Sequence, residues 1–331
     1  MILTQRTYSP SGFTTSQTLI HIVDTNNPTQ NPAGSSYKST IDGAISGSPF
    51  VVIVSGTGVN SSIRRDVNNL ACGNNSGALG GLSNSATTNY SMVVGGQNNI
   101  ISGGTHSFIG GGCGNLSSGC ASTIGGGLGN ISSCFYSTVG GGQFNNALGR
   151  CSTVAGGGGN TSACRCSTIG GGVANIVSGN SSTIAGGRFN CITSELSSIG
   201  GGQCNSVSGS TSTIGGGCCN QIFVGTGKNV TRNSTIAGGY CNIICYNSIG
   251  STIGGGSKNT SSNNYSFIGG GYCNTSCGGS TVGGGQENQA LGDNSFIGGG
   301  ILNSSTNITS TIVGGQQNTA SGNNSFIGGG I

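Results

Sequence analysis

STIGGGLGNISSCFYSTVGGGQFNN, running from Ser122 to Asn146, states one phrase and begins it again. Ser-Thr-Ile returns as Ser-Thr-Val, the glycine triplet returns unchanged, and Asn130 is answered by Asn145. The interval is fifteen residues. A fixed period of this size is the mark of a repeat architecture and must be read before any single residue is singled out.

Taking the serine of the phrase as position one, eighteen copies open between Ser61 and Ser325, and thirteen of the seventeen intervals are fifteen residues. The longest exceptions carry QIFVGTGKNVTRN (221–233) and IICYNSIG (243–250), which read as loops bulging from one edge without breaking the register. Position three is apolar throughout, as in Ile124, Val139, Val154 and Ile169. Position nine is asparagine in all seventeen complete copies, among them Asn99, Asn130, Asn145, Asn175 and Asn220. Positions five and six are Gly-Gly in every copy but the first, where Arg65-Asp66 stands. Position eleven is small or apolar, and positions seven, eight, fourteen and fifteen vary freely.

Three regular structures compete for such a pattern. A helix needs apolar residues at three- and four-residue spacing, and interior glycine costs it about 1 kcal/mol per residue. Collagen needs glycine at every third position, which fails here. A parallel β-solenoid fits. Each phrase is one coil, equivalent residues stack at ~4.8 Å, and position three forms an internal apolar column joined by position eleven. The glycines let the backbone turn where a Cβ would clash or where φ is positive. The asparagine column can bond the turn backbone and its own neighbours, coil upon coil. The expected fold is therefore all-β, a β-roll of about fifteen-residue coils spanning 61–331, with a shaft of about 80 Å at that spacing.

Position two holds threonine in most copies, but Phe108, Phe267, Phe296 and Phe326 share its column. In an extended strand it points opposite to position three, so these rings face away from the coil interior. A long shaft that showed them all to water would be a poor solute. The reading is that this face packs against sister chains, the alternative being a monomeric solenoid with occasional exposed phenylalanine.

Composition narrows the function classes. The chain has 331 residues, 70 of them glycine, and only 5% are charged, while Ile, Val and Thr are frequent; ordered β-structure is favoured over disorder. A net charge of +4, with Arg64-Arg65 as the only basic doublet, speaks against nucleic acid as a partner. The N-terminus has no basic region followed by an apolar run and cleavage site, and no segment is long and apolar enough to span a membrane. The 15 cysteines show no fixed pairing interval, and His21 and His106 stand alone, so no metal site is expected and cysteine reads as a small buryable hydrophobe. Six scattered acids cannot readily supply a glycosidase pair. Calcium-binding rolls need an aspartate in each glycine-rich turn, and the glycine triplets lack the Lys-Ser/Thr of a phosphate loop. Asn-x-Ser/Thr triplets such as Asn60 and Asn115 follow from the repeat and argue little for glycosylation. No catalytic residue and no cofactor is expected, and the chain reads as a structural protein, not an enzyme. An ice-binding face is disfavoured by the phenylalanines and the lack of a Thr-x-Thr ladder.

The phrase S-T-I-G-G-G-x-x-N-x-x-S-G resembles the head repeats of trimeric autotransporter adhesins and related repeats in phage and large-virus fibre proteins, over Ser61 to Ile331. The resemblance implies a homotrimer of left-handed parallel β-rolls; period and composition do not give the handedness or the number three. The adhesins' secretion signal, coiled-coil stalk and membrane anchor have no counterpart here.

Residues 1–60 do not obey the repeat. TLIHIV and PFVVIVSG read as strands around a turn-rich segment, a small β-rich attachment region that also caps the coils. SFIGGGI breaks off midway through a coil, so a tip, a cleaved chaperone or an adjoining protein is expected beyond it. The function expected is a virion fibre, a phage tail fibre or surface spike, held to other virion or tail proteins through 1–60 and presenting a tip to a host-surface receptor such as a glycan. The alternative is a bacterial surface adhesin or extracellular filament subunit.

Overall fold

The computed structural model describes residues 53–64, 68–225 and 231–331. Within them the chain is a parallel β-solenoid with no helix, and Ile53–Ile331 forms one compact unit. The β-rich attachment region expected over 1–60 lies outside the described residues except for its end. That end includes Ile53–Ser55, the close of the second expected strand, which pairs antiparallel with Ser62–Arg64 of the first coil.

Each coil contributes two short strands. At positions two and three, Thr123–Ile124 pairs forward with Thr138–Val139 and back with Phe108–Ile109, all parallel. At positions ten and eleven, Ile131–Ser132 pairs in the same way with Asn146–Ala147 and Leu116–Ser117. Position seven adds a third ladder of single bridges, such as Leu128 to Gln143 to Gly158. Because a strand alternates its sides, position three of the first sheet and position eleven of the second point inward. Ile124, Val139, Val154 and Ile169 form one continuous pile in which each is 0% exposed. The opposing pile holds Ala147, Val177, Ile192 and Val207, interrupted by Ser117, Ser132 and Ser162, and these too are buried.

Position six carries the steric requirement for glycine. Gly127 has φ +95°, and a Cβ there would lie 2.0 Å from the carbonyl oxygen of Gly142 in the next coil. Two further corners turn through the left-handed region without depending on glycine. At position eight this holds for Phe144, Phe189 and Glu287, and at position fifteen for Tyr136, Cys151 and Leu196, with φ between 54° and 58°. Their cost is met by main-chain bonds that run back along the axis: Phe144 N–H donates to Leu128 O at 2.8 Å and Cys151 N–H to Phe135 O at 2.9 Å.

All variation in coil length falls between position eleven and the next position one. The 22-residue interval from Ser212 to Ser234 keeps Thr213 opposite Thr235 and Ile222 opposite Ile244. The insertions at 221–233 and 243–250 therefore leave the same corner of the coil, and both sheets pass them in register.

Candidate functional site: the interior polar ladders and the uncharged face

The asparagine at position nine is locked from three directions. Asn145 is 0% exposed, and its Nδ2 donates to Gly141 O and Gly157 O, both at 2.9 Å. Its N–H donates to Asn130 Oδ1 at 2.9 Å, and its own Oδ1 accepts Asn160 N–H at 3.0 Å and Asn160 Nδ2 at 3.1 Å. Asn99, Asn130, Asn175 and Asn220 likewise donate from Nδ2 to two glycine carbonyls, and each Oδ1 accepts the N–H of the next asparagine. One buried amide thus satisfies a position-five carbonyl, a position-six carbonyl of the next coil and the main-chain N–H of the next asparagine. Left unmade, such groups are expensive. The segment between positions one and nine keeps a constant length because every coil must deliver its glycine carbonyls to this ladder.

A second polar ladder was not apparent from the sequence. In five of the six coils with serine at position eleven, its hydroxyl meets the position-one serine that opens the next copy; the exception is Ser261, whose hydroxyl finds no partner. Ser132 Oγ lies 2.7 Å from Ser137 Oγ and donates to Ser137 O at 2.9 Å; Ser162 and Ser167 repeat this at 2.7 and 2.9 Å. Where position eleven is alanine the clasp is missing. The buried hydroxyls of Ser152, Ser295 and Ser325, which follow Ala147, Ala290 and Ala320, find no partner. The two members stand five residues apart across a variable corner, so only the fold reveals the pair.

The outer face of the first sheet carries positions two and four, with position five beside them. From Ser76 onward no charged residue occupies any of the three. Arg150, Arg165, Glu195, Arg232 and Asp293 sit at position fourteen, Arg188 at seven, and Lys258 and Glu287 at eight. Thr123, Thr138, Thr153, Thr168 and Thr183 follow one another in register along this face. The four phenylalanines of the column do point outward, each folded toward the glycine two residues on. Phe108, Phe267 and Phe296 are 38%, 42% and 40% exposed, against 70% for Phe326 in the last coil. The ring of Phe108 covers its own Gly110, where a Cβ would come within 3.4 Å of Cε1, and Phe296 covers Gly298 at the same distance. Every phenylalanine of the column is followed two residues later by glycine, which leaves room for the ring.

Position five behaves differently from position six. At Gly111, Gly141, Gly156 and Gly186 a Cβ would meet nothing within 4 Å. Space alone does not demand glycine at these four places, but Gly171, Gly201 and Gly255 of the same column turn at φ 154–155°, which favours glycine, and at Gly80 a Cβ would come 2.9 Å from Val94 O.

Exposed apolar side chains are not confined to this face. The corners bear Tyr136, Phe144, Phe189 and Tyr265, each more than half exposed. Some pair along the axis: Tyr90 stacks on His106 with centroids 4.8 Å apart, Phe223 on Tyr246 at 5.1 Å, and Lys258 Nζ sits 5.6 Å from the Tyr272 ring centroid. Among the described residues no group of three or more His, Cys, Asp or Glu side chains is arranged to hold a metal ion. No helix among them is long and apolar enough to cross a membrane. Comparison with protein-family models and with curated proteins returned no match.

Proposed function

We propose that the chain is the shaft of a fibre in which copies pack side by side through the uncharged face of the first sheet, so that the rod holds an attachment tip away from a virion. Its parts are those of a phage tail fibre or virion-surface spike. The region 1–60 docks on neighbouring virion or tail proteins, and the far end faces a receptor on the host surface. Three copies is the number that the resemblance to adhesin heads implies. The role is mechanical: stacked coils give stiffness, and several chains give several equivalent tips and hence avidity.

The observation that carries this reading is the position-five glycine column. At coils such as Gly111, Gly141, Gly156 and Gly186, where a Cβ would meet nothing in the chain, the glycines leave a smooth strip that a neighbouring backbone can approach closely. A partner that meets it at every coil must have the same axial repeat, and another copy of the chain is such a partner. The lack of charge on positions two and four lets two such faces meet without desolvating an ion. Phe108 toward one end of the face, and Phe267, Phe296 and Phe326 alternating with threonine toward the other, add apolar area.

The test is sedimentation equilibrium of the full chain, with a trimer expected. Gly141→Glu, placed in the open space, is expected to shift the population toward monomer while leaving the circular-dichroism spectrum unchanged. A wild-type chain that stays monomeric at tens of micromolar, or a Gly141→Glu chain that assembles as well as wild type, overturns the packing. Immunogold labelling of particles from the source tests the location: label on virion appendages supports the fibre, and label on a cell surface supports the adhesin alternative.

A further inference from the structure

Two Arg-Cys dipeptides are stacked one above the other on the shaft. Arg150-Cys151 closes one copy and Arg165-Cys166 closes the next, so the cysteines share position fifteen and the arginines position fourteen. Cys151 and Cys166 have the same left-handed backbone, φ 56° and 53°, and their N–H groups donate to Phe135 O and Arg150 O of the coil before, at 2.9 and 2.8 Å. Their Cβ atoms therefore project in the same direction from successive coils. Coils stack at ~4.8 Å, within the roughly 4.4–6.8 Å between Cα atoms that a disulfide spans. Both thiols are exposed. The two exposed arginines beside them stand on successive coils as a local cationic pair; Asn180 follows Arg165 in the same column, and Glu195 comes one coil later.

We propose that Cys151 and Cys166 are a redox modification site, joined coil to coil by an anionic low-molecular-weight disulfide of the glutathione type that the flanking arginines draw in. The thiolate of Cys151 attacks one sulfur of the small disulfide, forming a mixed disulfide and releasing one small thiolate. The thiolate of Cys166 then attacks the Cys151 sulfur, forming the protein S–S bond and releasing the second. Two protein thiols and one small disulfide become one protein disulfide and two small thiols, and the two protein protons end on the released sulfurs. A neutral disulfide would do the same chemistry without the electrostatic attraction.

The other cysteine stack is built less favourably. Cys204, Cys219 and Cys241 share position eight, but Cys219 Sγ lies 3.3 Å from Cys218 Sγ. The hydrogen bond that the Cys219 thiol donates to Cys218, ahead of burial and the neighbouring thiols, pushes it up to about 12. Little of it is thiolate at neutral pH, so it attacks slowly. Cys164, near the proposed pair in sequence, has its thiol donating to Ser178 O at 2.9 Å.

The full chain is incubated with oxidised glutathione, and free thiols are trapped and counted. The expected result is a fall from 15 thiols to 13, with an intact mass lower by two hydrogen atoms. Trypsin, cutting after Arg150, Arg165 and Arg188, should release peptides 151–165 and 166–188 as one disulfide-linked species. Cys151→Ser should abolish that species and Cys164→Ser should preserve it. Replacing Arg150 and Arg165 by Gln should slow the reaction with oxidised glutathione several-fold and leave the rate with hydroxyethyl disulfide, which is neutral, unchanged. A stable glutathione adduct on Cys166, a disulfide-linked dimer on a non-reducing gel, or a link that survives Cys151→Ser overturns the assignment. Equal slowing with both oxidants overturns the role of the arginines.

Discussion

Asn145 and Asn146 are neighbours in sequence on opposite sides of one strand, and they separate the ladder from ordinary surface polarity. Replacing Asn145 by Ala removes the amide that holds Gly141 O and Gly157 O and the oxygen that accepts Asn160 N–H. Gly157 O keeps the Gln143 N–H at 2.9 Å, so two main-chain groups, Gly141 O and Asn160 N–H, lose their only partners. At about 1–3 kcal/mol for each buried group left unsatisfied, with some relief from water at the partly open Gly141, the loss is about 4 kcal/mol. Asn146 makes one long side-chain bond, Nδ2 to Thr161 Oγ1 at 3.4 Å, and its replacement by Ala should cost less than about 0.5 kcal/mol. Urea unfolding followed by circular dichroism is the assay. A solenoid couples only nearest neighbours, so weakening one rung near the middle should also split the wild-type transition into two for Asn145→Ala and leave it single for Asn146→Ala. Equal stability of the two variants, to within about 1 kcal/mol, would refute the idea that the amide column holds the coils together.

Three other substitutions probe separate parts of the coil. Gly142→Ala places a Cβ 2.1 Å from Gly157 O at φ +84°, whereas Gly141→Ala meets nothing within the chain; thermal melting at concentrations dilute enough for the monomer should show a loss of about 3 kcal/mol or more for the first and almost none for the second. Ala147→Ser should supply the missing partner of Ser152 and raise stability by about 1 kcal/mol in the same assay, since Ser132 and Ser162 already make that clasp in the coils on either side. Two residues inserted between Cys134 and Phe135 should be tolerated with little change in melting temperature. The same insertion between Leu128 and Gly129 should unfold neighbouring coils, as judged by limited proteolysis, because it displaces Asn130 from the glycine carbonyls it serves.

The stacked coils and their two apolar piles were legible because Ile124, Val139 and Asn130 recur at fixed intervals, and a column that admits one residue type announces its environment. The left-handed corners were not legible. Phe144, Glu287 and Lys258 share position eight because main-chain bonds set the backbone there, and side chains that hang in solvent are free to vary. The serine clasp stayed hidden for a different reason: it joins positions whose separation changes with the corner between them. The outward direction of the phenylalanines follows from strand alternation alone. Their folding over Gly110 and Gly298 depends on the glycine two residues later, a use that its place in the glycine run conceals.

The confinement of length changes to one corner has a consequence for how such a molecule can be remade. Because each coil offers its successor the same upper surface that it received from its predecessor, whole phrases can be duplicated or excised in the gene without retuning anything else. The reach of the rod is then written in the copy number, an integer that recombination between near-identical stretches of DNA can change in one event. Foreign peptides spliced into the tolerant corner would ride along the outside as passengers at a regular pitch.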